Sequence, residues 1–288
     1  MTFVQSIFIA IFQGVTELFP VSSLGHAVIL PALLGWNIDQ QSPAFLPFLV
    51  VLHVGTATAL LVYFWRDWWS LLVSVLGRGA PAKVREERHL FALLVLGTLP
   101  AVVLGFAFEK WLRHLFGSPV AAAFFLVING VVLFAGERLR RRWTEVVSNR
   151  SELAQASWWD ALFVGLFQAT ALVPGISRSG VTIVGGLLVG LRHEDAARFS
   201  FLLATPIIMG AAVLEIPKLL HAAASPSGSA LGGSGLWIAG IVAGLTAYAS
   251  TAVLMRYFRS HEARPALDPF AYYCCLAGAL ALVYLRFA

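Results

Sequence analysis

Residues Phe12 to His26 read F-Q-G-V-T-E-L-F-P-V-S-S-L-G-H and set a polar cluster inside a very apolar sequence. A second stretch, Thr170 to Thr182 (T-A-L-V-P-G-I-S-R-S-G-V-T), resembles it. The aligned positions that share a residue type are Thr16 with Thr170, Leu18 with Leu172, Pro20 with Pro174, and Ser23 with Ser177. Two such clusters at half-chain spacing predict an internal repeat with a site at its centre.

The composition is that of an integral membrane protein. Hydrophobic residues make up 59% of the 288 residues and charged residues 12%, with a mean hydropathy of +0.80. A soluble domain of this length has no interior large enough to bury so much apolar surface. Apolar segments of roughly 20 residues, enough to cross about 30 Å of hydrocarbon, recur with short connections, so the spanning elements are predicted to be helices and not strands.

The segments around the two polar clusters are predicted to form re-entrant helical hairpins, at residues 2–35 and 158–190. Residues 24–34 reach only about 16 Å as a helix, which is too short to cross. Pro20 to Gly25 is then a turn within the membrane. Such a turn is tolerated only where protein or a water-filled cavity covers its backbone.

Six full spans complete the prediction, at about residues 44–65, 90–108, 118–136, 198–217, 236–256 and 268–286. The chain therefore divides into residues 1–150 and 151–288, each with one hairpin and three spans. Because three crossings is an odd number, the second half is inverted relative to the first. The expected fold is an all-α polytopic membrane protein with an inverted-topology repeat.

The basic residues predict the orientation. If the amino terminus is outside, 15 of the 20 Lys and Arg residues fall on the inside. By the positive-inside rule both termini are then outside, and the net charge of +5 needs no nucleic-acid partner to explain it. The first hairpin enters from outside and the second from the cytoplasm, so that their turns can meet near the midplane.

Residues that the fold needs should recur in both repeats, whereas residues that chemistry needs do not have to. Pro20 and Ser23 recur, but Glu17 aligns with Ala171. An ionisable group in an apolar segment is costly unless it is paired or faces water, so Glu17 is predicted to be an acid/base group or metal ligand, with a structural partner for a helix end as the alternative. Gln13, one turn earlier, either shares a metal, water or hydrogen bond with Glu17 or packs helices together.

Ser22, Ser23 and Gly25 follow Pro20 and open a half-helix. Backbone N–H groups at such an N-terminus, beside small hydroxyl residues, make an anion site, and an ordinary N-cap by either serine is the alternative. His26 lies three residues after Ser23 and four after Ser22, where it could take a serine proton or act directly on phosphorus.

Arg178 lies between Ser177 and Ser179 in the second cluster. A guanidinium at membrane depth needs an anion, and its planar fork suits the oxygens of a phosphate. A salt bridge to Glu17 across the two hairpins is compatible with that role. Thr182, one turn after Ser179, is predicted to support the loop.

Two further features are interpreted as core packing. His53 lies in the first long span, where a satisfied core histidine is favoured over one that lines a cavity. Cys274 and Cys275 are the only cysteines in the sequence, with no second pair to bridge or to complete a metal site.

These residues together resemble the undecaprenyl pyrophosphate phosphatases of the bacitracin-resistance type. The first family motif, [E/Q]-x-x-x-E followed by P-V-S-S-x-G-H, looks like Gln13 to Glu17 and Pro20 to His26, and the second, P-G-x-S-R-S-x-x-T, is matched by Pro174 to Thr182. The resemblance covers essentially the whole chain. Many members carry Glu where this chain has Gln13 and Thr where it has Leu24, so neither a two-carboxylate metal site nor a hydroxyl role at Leu24 carries over.

The resemblance implies hydrolysis of undecaprenyl diphosphate to undecaprenyl phosphate, in lipid carrier recycling for peptidoglycan synthesis, at the outer face of the bacterial plasma membrane. It implies a divalent cation, Mg²⁺ or Ca²⁺, near Glu17. The expected catalytic residues are Glu17, Ser23, His26 and Arg178, and the expected substrate-binding residues are Gln13, Ser22, Gly25, Ser177, Ser179 and Thr182. The expected partners are the polyprenyl diphosphate lipid and the bilayer, with a homodimer left open and no nucleic acid.

Alternatives remain open at this point. The nucleophile is Ser23, His26 or an activated water. Inverted repeats with broken helices are also typical of alternating-access carriers, and a flippase for the monophosphate lipid would use Arg178 without needing His26 or Glu17. A phosphatase of the other membrane superfamily, with P-S-G-H and S-R motifs, is disfavoured because the second motif lacks the downstream His and Asp that its chemistry requires.

Overall fold

The computed structural model is all-helical over the residues it describes, which are 1–36, 38, 45–115, 118–144, 153–223, 233–262 and 264–287. Twelve α-helices and one short 3-10 helix, Leu153–Gln155, follow one another in that part of the chain. The α-helices are α1 (Phe3–Thr16), α2 (Ser23–Leu33), α3 (Phe45–Tyr63), α4 (Trp65–Val75), α5 (Pro81–Ala107), α6 (Glu109–Leu115), α7 (Pro119–Thr144), α8 (Trp158–Thr170), α9 (Arg178–Leu188), α10 (His193–Ala223), α11 (Gly233–Ser260) and α12 (Asp268–Phe287).

Five helices of the described chain are long and apolar enough to cross a membrane: α5, α7, α10, α11 and α12. Helices α3 and α4 pass the same test as a pair, bent by 76° at the break between them. These elements lie where the six spans are predicted. The prediction of an all-α polytopic membrane protein is therefore confirmed.

Several helices run further than their apolar cores predict. Helix α5 begins at Pro81, α10 begins at His193, and α7 ends at Thr144. Hydropathy marks only the part of a helix that lies in hydrocarbon, whereas charged residues with good helix propensity continue it into the polar region. Pro81 also suits the first position of a helix, where its missing N–H has no partner to lose.

Helix α4 is not predicted from the sequence. It exposes Trp65 and Trp69 on one side and packs against α5, where Arg88 Nε donates to the carbonyl oxygen of Ser74 at 2.8 Å. A short helix with tryptophans on one face and charged residues on another is typical of elements that lie in the membrane interface.

The two predicted hairpins are pairs of short helices, α1 with α2 and α8 with α9, of 11 to 14 residues each. The first helix of each pair begins with a capping box, formed by Thr2 with Gln5 and by Ser157 with Asp160. The capped N–H groups have no intrahelical partners, so these polar residues define where the helices start. None of the four helices is long enough to cross a bilayer alone.

The predicted alignment of the two hairpins needs one correction. Glu17 and Ala171 are the C-caps of α1 and α8, as aligned, but the caps of α2 and α9 are Ser22 and Ser177. The second turn therefore has one extra residue, and Ser177 matches Ser22 and not Ser23. An ungapped comparison of the sequences cannot find a one-residue insertion.

Close helix crossings bring the turns together. Helix α1 packs on α11 and α8 packs on α5. A Cβ on Gly165 would lie 2.5 Å from the carbonyl oxygen of Gly97, and one on Gly55 would lie 2.0 Å from that of Gly240. Glycine at these crossings lets the backbones approach, as in other membrane bundles. The predicted boundary between residues 150 and 151 lies outside the described residues.

Candidate active site

The two hairpin turns meet inside the helix bundle. Ser179 Oγ donates a hydrogen bond to the carbonyl oxygen of Phe19, across the turns, at 3.1 Å. A Cβ on Gly25 would lie 3.0 Å from the Cα of Gly175, and Gly175 itself has a φ of +100°, which favours glycine. The residues of the two sequence motifs are thus brought into one place.

Asn129 holds the two turns in register. This α7 residue is fully buried. Its Nδ2 donates to the carbonyl oxygen of Pro20 at 3.1 Å, and its Oδ1 accepts from the N–H of Ser177 at 2.9 Å. Asn129 is not among the predicted site residues, although an amide in the middle of an apolar span is a signal of a specific polar contact.

Glu17 lies at the centre of the polar contacts and is 7% exposed. Its Oε1 accepts from Arg178 Nη2 at 3.0 Å, and its Oε2 accepts from Ser23 Oγ at 2.5 Å. Arg178 Nη1 also donates to the carbonyl oxygen of Ser200 at 3.3 Å, which steadies the guanidinium. The predicted bridge between the hairpins is confirmed, and it joins a carboxylate, a hydroxyl and a guanidinium.

Two more side chains reach the same carboxylate. Gln13 Nε2 donates to Glu17 Oε2 at 3.0 Å, and His53 Nε2 lies 3.4 Å from that oxygen. His53 lines the cavity beside Glu17, so its interpretation as a core histidine is wrong. Like Glu17, His53 is an ionisable group in an apolar span, and this signal is visible in the sequence. The contact between α1 and α3 that brings the two side chains together is not visible there.

The backbone at Ser22 is strained. Its φ of +67° is rare for a residue with a Cβ. Its Oγ accepts from the N–H of Gly25 at 3.2 Å, and its carbonyl oxygen accepts from the backbone N–H of His26 at 3.2 Å. Strained turns that are held by several hydrogen bonds are found at functional sites. Here the turn places the next residue, Ser23, within hydrogen-bond distance of Glu17.

His26 lines a small cavity with Gln13 and Ser23, separate from the one that Glu17 and Arg178 line. Its Nδ1 lies 2.6 Å from the carbonyl oxygen of Ser22, so Nδ1 carries the proton, and its Nε2 accepts from the Tyr273 hydroxyl at 2.8 Å. Both ring nitrogens are therefore engaged. Glu17, Ser23 and Arg178 line one cavity, and His26 is not among the described residues that line it.

The polar residues of the second hairpin mostly support its shape. Ser177 Oγ caps α9 by accepting from the N–H of Gly180 at 3.1 Å, and this residue also lines the cavity. Thr182 Oγ1 lies 2.7 Å from the carbonyl oxygen of Arg178 and 2.6 Å from Ser200 Oγ. Both contacts fix the first turn of α9, from which Arg178 projects.

A cavity of about 250 Å³ lies beside these groups. Its polar lining includes Glu17, Ser22, Ser23, His53, Gln168, Ser177 and Arg178. The rest of the described lining is apolar, with Leu24, Leu49 and Val50 from α2 and α3, Ala101 from α5, Leu172 from the second turn, and Ile207, Ile208 and Ala211 from α10. Such a lining suits a ligand with an anionic head and a hydrocarbon tail.

Glu17 is the one carboxylate among the described residues that line the cavity, so a divalent cation there would depend on oxygens of a bound ligand. Within the described ranges no group of three or more His, Cys, Asp or Glu side chains could hold a metal ion. Both oxygens of Glu17 already accept from Arg178, Ser23 and Gln13. A role for Glu17 as a metal ligand stays a prediction.

Fold and site define a polytopic helical membrane protein with a buried serine–carboxylate–arginine site. The family model described as bacitracin resistance protein BacA matches residues 6–280, and the chain belongs to that family. A protein of Acidiphilium cryptum named undecaprenyl-diphosphatase is 58% identical to it over 287 residues, covering 100% of this chain and 99% of that protein. Proteins of the same name from Granulibacter bethesdensis (55% identity; 100% and 98% covered) and Gluconacetobacter diazotrophicus (52% identity; 99% and 98% covered) are also similar over their full lengths.

Proposed function

We propose that the chain is an integral membrane phosphatase that hydrolyses undecaprenyl diphosphate to undecaprenyl phosphate and inorganic phosphate. The observation that carries the proposal is the hydrogen bond of 2.5 Å from Ser23 Oγ to Glu17, with Arg178 on the other carboxylate oxygen at 3.0 Å. A hydroxyl beside a base and a fixed cation is the arrangement that nucleophilic attack on a phosphoryl group needs. The relatives from Acidiphilium cryptum and Granulibacter bethesdensis, both named undecaprenyl-diphosphatase, support the same substrate.

Ser23 is the proposed nucleophile. Glu17 takes the hydroxyl proton as Ser23 Oγ attacks the terminal phosphorus, and the bridging P–O bond breaks to release undecaprenyl phosphate. The proton passes from Glu17 to the departing phosphate. Glu17 then takes a proton from the water that attacks the phosphoserine, and returns it to Ser23 Oγ as the P–Oγ bond breaks.

Arg178 and the N-terminus of α2 are proposed to hold the diphosphate. The guanidinium is already fixed by Glu17 and Ser200, so little side-chain freedom is lost when it binds phosphate oxygens. The start of α2 lines the same cavity through Ser22, Ser23 and Leu24, and a helix N-terminus favours an anion. Ser22, Gly25, Ser177, Ser179 and Thr182 serve by shaping these two helix starts.

His26 is proposed to act as a positioning residue and not as the nucleophile. Its Nδ1–H braces the carbonyl oxygen of Ser22, the strained residue that precedes Ser23, at 2.6 Å. Its Nε2 accepts from Tyr273, which keeps the proton on Nδ1. Removal of the ring would therefore loosen Ser23 without removing a reacting group.

The prenyl tail is proposed to leave the cavity between α5 and α10. Ala101 of α5 and Ile207, Ile208 and Ala211 of α10 line the cavity, and on the same two helices Val103, Phe106 and Val213 are 61%, 63% and 71% exposed. Exposed apolar side chains next to an apolar cavity in a membrane protein give a continuous path into lipid. The corresponding pair α3 and α11 is closed by the contact of Gly55 with Gly240.

We propose an inverted-topology repeat of residues 1–150 and 151–288, with re-entrant hairpins at 2–35 and 158–190. The matched caps of the two hairpins and the packing of α1 on α11 and α8 on α5 support it. The distribution of Lys and Arg favours both termini outside, with the site opening outward from a bacterial plasma membrane. Single cysteines at Thr2 and Arg78, with Cys274 and Cys275 replaced by alanine, test it: an impermeant maleimide should label only the first in intact cells.

A divalent cation, Mg²⁺ or Ca²⁺, stays a prediction of the resemblance. When bound to the diphosphate it would neutralise charge on the phosphoryl oxygens. Mg²⁺ commonly binds through substrate phosphates with only one or two protein carboxylates. A homodimer likewise stays a prediction.

The proposed activity is tested with protein purified in detergent. Release of phosphate from undecaprenyl diphosphate is expected, and rapid quenching should trap a phosphoryl group on Ser23 that mass spectrometry locates. An adduct on His26 would overturn the assignment of the nucleophile, and no adduct at any quench time would favour direct attack by water.

The same assay separates the phosphatase from a flippase. Transport needs two compartments, whereas hydrolysis proceeds in a micelle. No phosphate release in detergent, combined with movement of the monophosphate lipid across liposomes, would replace the proposal with the carrier alternative.

A further inference from the structure

Helix α4 turns an apolar face away from the rest of the chain. Along one side of the helix lie Trp65, Trp69 and Leu72, and Leu76 follows at its C-cap. The spacing of i, i+4, i+7 and i+11 places these four side chains on one face, and between 51% and 63% of each is exposed. Most helices pack such a face on a core. The apolar face of α4 is instead left for a medium or partner outside the chain.

The polar side of α4 is the side that contacts the protein. Asp67 forms an ion pair with Arg198 of α10, and Ser70 Oγ donates to Glu87 Oε1 of α5 at 2.8 Å. Arg88 of α5 donates from Nε and Nη2 to two carbonyl oxygens in the last turn of α4. These bonds hold the helix from one side, so its apolar face stays directed outward.

The direction of α4 suits a membrane interface. The helix is bent by 76° from α3, the span that precedes it. Because spans are tilted by only about 20° on average from the membrane normal, α4 runs closer to the membrane plane than to that normal. An amphipathic helix in this direction lies with its apolar face at the boundary between headgroups and acyl chains.

Positive charge accompanies this face. Residues 65–88 contain five Lys and Arg and three Asp and Glu, and one of these acids, Asp67, is already paired. Arg78, Lys83 and Arg85 are exposed on the connection to α5 and at its start, and none of the three forms an ion pair within the described part of the chain. Their charges therefore remain available to a ligand outside the protein.

Arg66 brings a further cation to the face itself. Its guanidinium carbon lies 5.5 Å from the ring centroid of the exposed Trp65. Tryptophan and basic side chains together are typical of the headgroup region, where the ring packs on acyl chains and the cation reaches phosphate. An apolar protein partner would leave these cations without an acceptor, whereas an acidic lipid supplies hydrocarbon and phosphate together.

We propose that α4 and the start of α5 form a binding surface for acidic phospholipids. The apolar face of α4 lies among the acyl chains, and the phosphate groups are bound by Arg66, Arg78, Lys83 and Arg85. Each Lys or Arg beside an anionic surface adds to the attraction, which salt screens. None of these residues is among the described residues that line the cavity at Glu17, so the lipid surface and the phosphatase stand or fail separately.

The first test measures the lipid selectivity of the purified protein in phosphatidylcholine bilayers. Electron paramagnetic resonance of a trace of spin-labelled lipid gives the fraction of that lipid immobilised by the protein. Phosphatidylglycerol should associate at least about threefold more strongly than phosphatidylcholine, and the ratio should fall as salt is raised. Equal association of the two spin-labelled lipids would overturn the proposal.

A triple variant locates the selectivity. Arg78→Gln/Lys83→Gln/Arg85→Gln removes three exposed charges and should bring the ratio of the two lipids close to unity. Circular dichroism checks that the variant is folded. An unchanged ratio in the folded variant would contradict the assignment of these cations.

The matched control removes the same charge elsewhere. Arg141→Gln/Arg264→Gln/Arg286→Gln changes three exposed arginines, in α7, in the α11–α12 connection and in α12. This variant should keep most of the preference for phosphatidylglycerol. Equal losses in the two triple variants would mean that the net charge of the protein, and not this surface, attracts the lipid.

A second readout identifies what covers the apolar face. A nitroxide is attached at Leu72→Cys, with Cys274 and Cys275 replaced by alanine, in bilayers that contain phosphatidylglycerol. The label should collide readily with oxygen, which concentrates in hydrocarbon, and rarely with a water-soluble nickel chelate. Low accessibility to both, with spin–spin broadening, would show that a second copy of the chain covers α4 and would overturn the lipid as its partner.

Discussion

The two hairpins have the same construction and different chemistry. Each has a capped first helix, a buried turn, and a second helix that a serine caps, Ser22 in α2 and Ser177 in α9. The first residue of each second helix then differs: it is Ser23 in α2 and Arg178 in α9, and both contact Glu17. The two hairpins therefore supply two equivalent helix starts at one carboxylate, one that carries a hydroxyl and one that carries a cation.

The largest expected loss of activity distinguishes the hydroxyl of Ser23, which is proposed to react, from the hydroxyl of Ser177, which caps α9. Ser23→Ala should lower phosphate release by about 10⁴-fold, because it removes the nucleophile. Ser177→Ala should mainly lower the free energy of unfolding by about 1 kcal/mol through loss of the cap of α9. Steady-state assays and thermal unfolding of both variants check this prediction. Equal losses of activity would mean that Ser23, like Ser177, only shapes the start of its helix.

The next effect concerns the bridge between the hairpins. Arg178→Ala and Glu17→Ala should each lower turnover by about 10³-fold or more while folded protein remains in the membrane. Since the two side chains act as a unit, the double variant should be little worse than either single variant. Retained turnover in purified Arg178→Ala would contradict the phosphate-binding role.

A smaller effect is expected where the two turns are joined. Asn129→Leu removes the bonds to Pro20 and Ser177, so that the hydroxyl and the cation are no longer held in register. Displacement of reacting groups by about 1 Å lowers rates by about 10²-fold. Turnover per folded protein, with folding monitored by circular dichroism, measures the loss. Unchanged turnover would show that helix packing alone aligns the turns.

The smallest effect compares two buried glutamines near the ends of α1 and α8. Gln13 Nε2 donates to Glu17 Oε2, whereas Gln168 Nε2 donates to the carbonyl oxygen of Gly97. Each bond contributes about 1 kcal/mol. Gln13→Leu should therefore reduce turnover by about fivefold, and Gln168→Leu should reduce thermal stability with a smaller loss of turnover. A larger loss of turnover in Gln168→Leu than in Gln13→Leu would place the functional glutamine in the second hairpin.

Much of the fold was predictable because the bilayer imposes simple rules on a sequence. Apolar length located the five long apolar helices of the described chain and the bent pair α3–α4, and the break at Pro20 and the short segment after it located the first hairpin. The bend between α3 and α4 and the charged extension of α5 were missed, since hydropathy reports on hydrocarbon and not on helix ends. The one-residue insertion in the second turn was missed because only the caps at Ser22 and Ser177 reveal it.

The candidate site was predictable in its residue types and less so in its contacts. Glu17, Ser23 and Arg178 were expected to lie together and do so, whereas His26 was expected beside them and instead braces Ser22. His53 was assigned to the core and is in the cavity. The contacts of Arg178 and His53 with Glu17, and of Tyr273 with His26, join elements far apart in the chain, for which the local sequence holds no information.

The sequence alone determined that this is a helical membrane protein with two broken-helix motifs, because burial of charge and of backbone in hydrocarbon is costly enough to be visible residue by residue. The tertiary structure decided which partners those charged residues have. Crossings of glycine-containing helices and the amide of Asn129 bring the turns together, and the carboxylate of Glu17 then receives its donors from three separate segments. Such an arrangement depends on ångström distances between helices, which hydropathy and motif spacing do not specify.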